Sequence, residues 1–142
     1  KILIGIDTGV NTGFAVAFDH GEGGVLQKVE SLSITQAMQS VLEYEDEHDL
    51  KDIMLYIEDA RKRTWFTGGR EKAQGVGSVK RDAQIWEDWC TEQGLNFKMI
   101  HPAANATKKK VADFTRMTGW TGRTNEHARD AAMLVFKRYW KA

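Results

Sequence analysis

Two short apolar runs in this sequence each end on a carboxylate. Ile2 to Ile6 is followed by Asp7-Thr8-Gly9, and Ile53 to Ile57 is followed by Glu58. Runs of this length, rich in β-branched residues and closed by turn residues, read as buried strands. The second is almost wholly apolar, as in a central strand covered on both faces. A carboxylate ending such a strand is costly to desolvate unless it is paired or holds a cation. Parallel neighbours would bring Asp7 and Glu58 out side by side at the C-terminal sheet edge, where α/β sheets bind ligands. Taken singly, Asp7 also suits a simple turn cap, and Glu58 a salt bridge to Arg61 or Arg63.

The other elements fill in around these two. Gly13 to Phe18 and Val25 to Val29 read as strands joined by short Gly/Asn/Asp turns, which favours an antiparallel meander. Thr35 is placed to cap a helix running to about His48. Residues 60–79 lose periodicity and read as a loop holding Trp65 and Phe66. Helical spacing returns over 80–93 with Ala83, Ile85, Trp86, Trp89 and Cys90, and Gly94 is a natural stop. Phe97 to Ile100 is a fifth strand, ended by Pro102. A Lys-rich helix is expected over 105–118, and a last helix from a Thr124 or Asn125 cap to about Tyr139. The order βββ-α-β-α-β-α-α predicts an α/β fold. Its five-stranded mixed sheet would be a three-strand antiparallel meander plus two parallel strands, with helices on both faces.

Length, at 142 residues, fits one domain spanning 1–142. Hydrophobic content of 42% and charged content of 28% are globular values. No apolar run reaches the ~20 residues of a membrane helix. No leader is evident, and the single cysteine fits a reducing compartment, so the expectation is a cytoplasmic protein. Cys90, beside Trp89 in a helical stretch, is expected to be a buried structural thiol. The net charge of zero hides an uneven distribution. Residues 1–60 hold three basic and twelve acidic residues, residues 61–81 hold seven basic against Glu71 alone, and residues 98–142 hold ten against three. Such blocks can form a basic face on a neutral chain.

His127 and Asp130 lie three residues apart on the expected last helix and so share a face. Ala128, Ala131 and Ala132 around them are small, which lets the helix approach the sheet closely. A helix presenting His and Asp toward two carboxylates can complete an oxygen-rich site for Mg²⁺ or Mn²⁺. Glu126 points about 100° away and is kept only as an outer candidate. Of Lys108, Lys109 and Lys110, one could neutralise charge on a phosphate.

Acids arriving from strand one, strand four and the last helix resemble the ribonuclease-H-like nucleases. Within that superfamily the chain resembles the RuvC-like Holliday-junction resolvases over nearly its whole length. Gly5-Ile6-Asp7-Thr8-Gly9 with Thr12-Gly13 is similar to the family's first acidic motif, and Tyr56-Ile57-Glu58 to its second. Gln74-Gly75-Val76-Gly77 looks like the glycine-containing start of the helix after its mobile loop, Lys108 with Val111 like its lysine motif, and His127-Ala128-Arg129-Asp130-Ala131-Ala132 like its last acidic motif. The five occur in order. One departure is His127, where many relatives carry aspartate.

The resemblance implies a ribonuclease-H-like fold and hydrolysis of branched DNA, four-way junctions foremost, with two Mg²⁺ or Mn²⁺ ions per site. Asp7, Glu58, Lys108, His127 and Asp130 are then the candidate catalytic residues. Of these, Asp7, Glu58, His127 and Asp130 are the metal ligands, with Asp7 bridging. Arg61, Lys62, Arg63, Trp65, Phe66, Arg70, Lys72 and Lys109 are the candidate DNA contacts, the two aromatics by stacking on unpaired bases. Members act as homodimers, and the tryptophan-bearing helix is one candidate interface. An imidazole at position 127 leaves the choice of metal open. It also predicts activity falling as His127 protonates. His127→Asp should flatten the acid limb of the pH–rate profile; an unchanged limb would dismiss that role.

Two other readings compete. A non-catalytic nucleic-acid-binding module on the same fold would bind a synthetic four-way junction without cutting it. An actin-like phosphotransferase is suggested by the Asp7-Thr8-Gly9 turn, but such enzymes need two domains of this kind.

Overall fold

The computed structural model describes residues 1–62, 70–105 and 109–140, and only the backbone of 70–76, 79, 103 and 105. Five strands form one sheet in the order β3-β2-β1-β4-β5. They are β1 (Ile2–Asp7), β2 (Thr12–Phe18), β3 (Val25–Leu32), β4 (Ile53–Glu58) and β5 (Phe97–Ile100). β1 pairs antiparallel with β2, and β2 with β3. β4 lies parallel to β1 on one side and to β5 on the other. The meander and the two added parallel strands are those expected from the sequence.

Every residue of β1 and β4 is buried, which is why their sequences run apolar without alternation. The pleat sorts them by parity. Ile2, Ile4, Ile6, Phe14, Val16, Ile53, Leu55 and Ile57 meet α1 (Ile34–Glu47) and α2 (Arg70–Gln93) through Ala37, Val41, Trp86 and Cys90. Leu3, Ala15, Ala17, Met54 and Tyr56 meet α3 (Val111–Thr118) and α4 (Glu126–Val135) on the other face. Each fully buried Ile or Leu contributes roughly 1.5–3 kcal/mol. Cys90 is buried, and desolvation pushes its thiol up to about 12, as befits a structural residue. Trp86 is fully buried in this core, edge-on to Trp89, so it is not available to a dimer interface.

Several helix boundaries differ from expectation. Ser33, not Thr35, caps α1: its Oγ accepts from Gln36 N at 3.2 Å while Gln36 Oε1 accepts from Ser33 N at 3.0 Å. α2 begins at Arg70, so residues 70–79 are helical rather than loop. Gly75 and Gly77 each cost about 1 kcal/mol there, but extending an established helix needs no new nucleus. The Lys-rich helix is shorter than expected. Pro102–Asn105 is a 3₁₀ turn, and Lys110 is the extended N-cap of α3. α4 stops at Val135 because Phe136 turns extended. The chain beyond it pairs instead with Gly24, Lys137 N donating to Gly24 O and Gly24 N to Arg138 O, both at 2.8 Å. Asn125 is the α4 cap, accepting from Ala128 N at 2.9 Å. Among the described residues, no helix is long and apolar enough to cross a membrane.

Candidate active site at the sheet edge

β1 and β4 run in register from Ile2 opposite Ile53 to Ile6 opposite Ile57. The next residue on each is Asp7 and Glu58, and strand parity turns both toward the α4 face. Asp7 is 4% exposed and Glu58 5%. Asp130, on α4, is 9% exposed. Three carboxylates are thus sunk into protein on adjacent elements, an arrangement that buried charges adopt when paired or when they hold cations. His127 Nδ1 lies 3.2 Å from Asp7 Oδ2. The structure therefore joins the first strand to the last helix across 120 residues, as the motif spacing predicts.

What brings α4 so close is a set of glycines whose role the sequence did not reveal. A Cβ built on Gly13 would stand 1.9 Å from His127 O, and one on Gly5 would stand 2.2 Å from Ala131 O. One on Gly24 would stand 2.2 Å from Val135 O. The three carbonyls are four residues apart, so they form one stripe along the helix. Gly13 pairs with Asp7 and Gly5 with Ala15, which puts both glycines on the face that carries Asp7. α4 rests directly on backbone, and this seat sets the height of His127 and Asp130 above the sheet.

Three other residues hold the site's surroundings. Thr12 Oγ1 donates to Gly9 O at 2.8 Å, and Thr8 Oγ1 reaches Glu58 O at 3.5 Å, tying the turn after Asp7 to itself and to β4. Arg129 Nε donates to Lys109 O at 2.9 Å, and its Nη1 to Thr124 O and Oγ1 at 3.2 and 3.1 Å. That contact moors the lysine segment to the start of α4. Lys108 itself lies outside the described residues, as do Arg63, Trp65 and Phe66. Arg70 and Lys72 are placed on the first turn of α2 by their backbone alone, and Lys62 is exposed at the end of the 3₁₀ turn over Ala60–Lys62.

Arg61 pairs with neither Glu58 nor solvent alone. Its Nε and Nη2 donate to Asp59 at 2.8 and 3.0 Å, and Nη1 donates to Gln84 and Glu87 at 2.6 and 2.9 Å. This fork clamps the end of β4 to α2. The Arg61 guanidinium holds the Asp59 and Glu87 carboxyls below their usual range. Their stabilisation is complete above the unfolded carboxylate pKa of about 4 and is lost as pH falls through the lower folded values. Arg61→Met should cost roughly 2–3 kcal/mol at neutral pH, the cost of orphaning a buried acid. The deficit should shrink as pH falls below about 4 toward the lowered folded value of Asp59. Urea unfolding at pH 7 and pH 3 checks this; an equal deficit at both would reject the clamp.

Donor chemistry at the edge fits a hard divalent cation, with three carboxylates and one imidazole. As the side chains stand, no three His, Cys, Asp or Glu groups among the described residues are close enough to enclose an ion.

No protein-family model matches the sequence, and no curated protein matches it. Among solved structures, the chain is similar to RuvC from T. thermophilus in complex with a Holliday junction substrate, with a TM-score of 0.60 and 18% identity. The likeness covers 95% of this chain and 90% of that chain. With the sheet order and the helices on both faces, it gives the chain a ribonuclease-H-like α/β fold.

Proposed function

We propose that this chain is a metal-dependent endodeoxyribonuclease that cuts four-way junctions or related branched DNA. One observation carries the reading: Asp7 and Glu58 are buried at the same edge of a RuvC-like sheet, and α4, which buries Asp130, sets His127 against Asp7. In a fold that tolerates many functions, function is argued from such a site.

Asp7, Glu58, His127 and Asp130 would hold Mg²⁺ or Mn²⁺, two ions by analogy with two-metal nucleases. When bound, the metal supplies an activated water and charge neutralisation at the leaving oxygen. Asp7, on the strand beside that of Glu58 and 3.2 Å from His127, would be the ligand common to both sides. Glu58 serves one side, and Asp130 with His127 the other. Lys108 is assigned to the phosphate, and Arg129 supports this by mooring the neighbouring Lys109 carbonyl. Lys62, Arg63, Arg70, Lys72 and Lys109 would neutralise phosphates along the arms. Trp65 and Phe66 would stack on bases unpaired at the branch. Arg61 is the anchor of that basic segment rather than a free phosphate contact, given its fork to Asp59 and Glu87. Two symmetric nicks in a junction call for a homodimer, with Ile85 and Trp89 on α2 as candidate contacts.

The test is cleavage of matched junction, flap and duplex substrates with Mg²⁺ and with Mn²⁺. Metal-dependent cutting of the branched substrates is expected. Binding without cutting in both metals would instead assign a DNA-binding module.

A further inference from the structure

We infer that the chain has a second anion site, separate from the carboxylate edge, that takes a phosphate group. A cavity of about 320 Å³ lies between β4, β5 and the end of α4. It is lined by Tyr56, Lys98, Met133, Phe136, Arg138 and Tyr139. Two cations and, among the described residues, no acid line it, although Asp19 is near enough to act on the Tyr56 phenol. Arg138 stacks its guanidinium over the Tyr56 ring, 4.6 Å from the centroid. Lys98, the register partner of Tyr56 on β5, makes no ion pair among the described residues.

The floor of the cavity points to a ligand. Tyr56 is 1% exposed, and its hydroxyl is buried with no hydrogen-bond partner. A buried hydroxyl left unmatched is expensive, and native proteins seldom keep one without a use. Burial raises the phenol above its ordinary value, so at neutral pH it is a donor. The Lys98 ammonium and the Arg138 guanidinium on one cavity match the acceptor oxygens of a phosphate, and a small shift of the Tyr56 ring would bring its sealed hydroxyl to the same ligand as a third donor. Phe136 and the largely exposed Tyr139 add flat apolar surface, which suits a phosphate attached to a base. The same chemistry could come from a free mononucleotide or from the DNA backbone. The site does not depend on the nuclease reading. Tyr56 and Asp7 lie on one face, but α4 runs from Asp7 past Gly5 toward Gly24, and the cavity is at its far end.

Thermal unfolding with inorganic phosphate, with dAMP and with a short duplex DNA tests the site. Each is run on the wild type, Asp7→Asn, Lys98→Gln and Tyr56→Phe. The expected result is a melting-temperature rise with at least one probe, kept in Asp7→Asn and lost in Lys98→Gln. Tyr56→Phe should melt higher without ligand, because the orphaned hydroxyl is gone, yet gain less from the probe. A rise with phosphate or dAMP assigns a free ligand; a rise with duplex alone assigns the DNA backbone. No rise with any probe, a phosphate or dAMP rise that Lys98→Gln retains, or a duplex rise, to which the basic segments also contribute, that Lys98→Gln does not reduce, overturns the inference. A rise enlarged in Asp7→Asn overturns it too, because an anion at the carboxylate edge would there meet one negative charge fewer.

Discussion

Asp7→Asn should abolish DNA cleavage while leaving DNA binding and folding intact. The substitution keeps the volume and removes one charge from the most central acid of the site. Asp7 and Glu58 each follow the in-register pair Ile6–Ile57, and Asp7 lies 3.2 Å from His127, so it neighbours both halves of the proposed ligand set. Loss of the shared ligand should cost at least about 10³-fold in single-turnover rate, about 4 kcal/mol of transition-state stabilisation. Junction affinity, measured by anisotropy, should fall no more than a few-fold, because phosphate contacts from the basic segments carry it. Stability should hold or rise, since a 4% exposed carboxylate on the strand next to that of buried Glu58 becomes neutral. A variant that still cuts within tenfold of the wild type would remove Asp7 from the site. One that fails both to cut and to melt normally would mean that Asp7 is structural.

Much of this site could be read from sequence because the signals were local. Asp7 and Glu58 each close a run whose lack of alternation already implied full burial, and both are buried in the structure. His127 and Asp130 share a helical face by spacing alone. What sequence could not supply were contacts between distant segments. Arg61 read as a phosphate contact because its neighbours are basic, yet its acids are the adjoining Asp59 and, from the next helix, Glu87. The 70–79 stretch read as loop because Gly75 and Gly77 weigh against a helix locally, while the α2 residues that continue it pack on the core further along. The apolar rhythm of α4 continues through Phe136 and Tyr139, but the helix does not, because the carbonyl and amide of Gly24 capture the chain after Val135.

The same blindness hid the seat of α4, where the largest effects on stability are expected. Gly13→Ala and Gly5→Ala would place a methyl 1.9 Å and 2.2 Å from backbone oxygens that cannot rotate away. Ordinary carbon–oxygen contacts are about 3.3–3.6 Å, so the helix must lift by more than an ångström. Overpacking of this kind costs about 3 kcal/mol or more, which lowers the melting temperature of a domain this size by roughly 10 °C. Gly77→Ala is the control: nothing lies within 4 Å of its Cβ, and the residue is helical. It should be neutral or stabilising by up to about 1 kcal/mol. Position along the stripe adds a second readout. Gly13 lies under His127 and beside Asp7, while Gly24 lies under Val135 at the other end of the helix. Compared at temperatures where both remain folded, Gly13→Ala should lose far more cleavage than Gly24→Ala for a similar loss of stability. Equal activity loss would mean that the seat sets the fold but not the height of His127 above Asp7. A Gly13→Ala protein as stable as the wild type would refute the close approach itself.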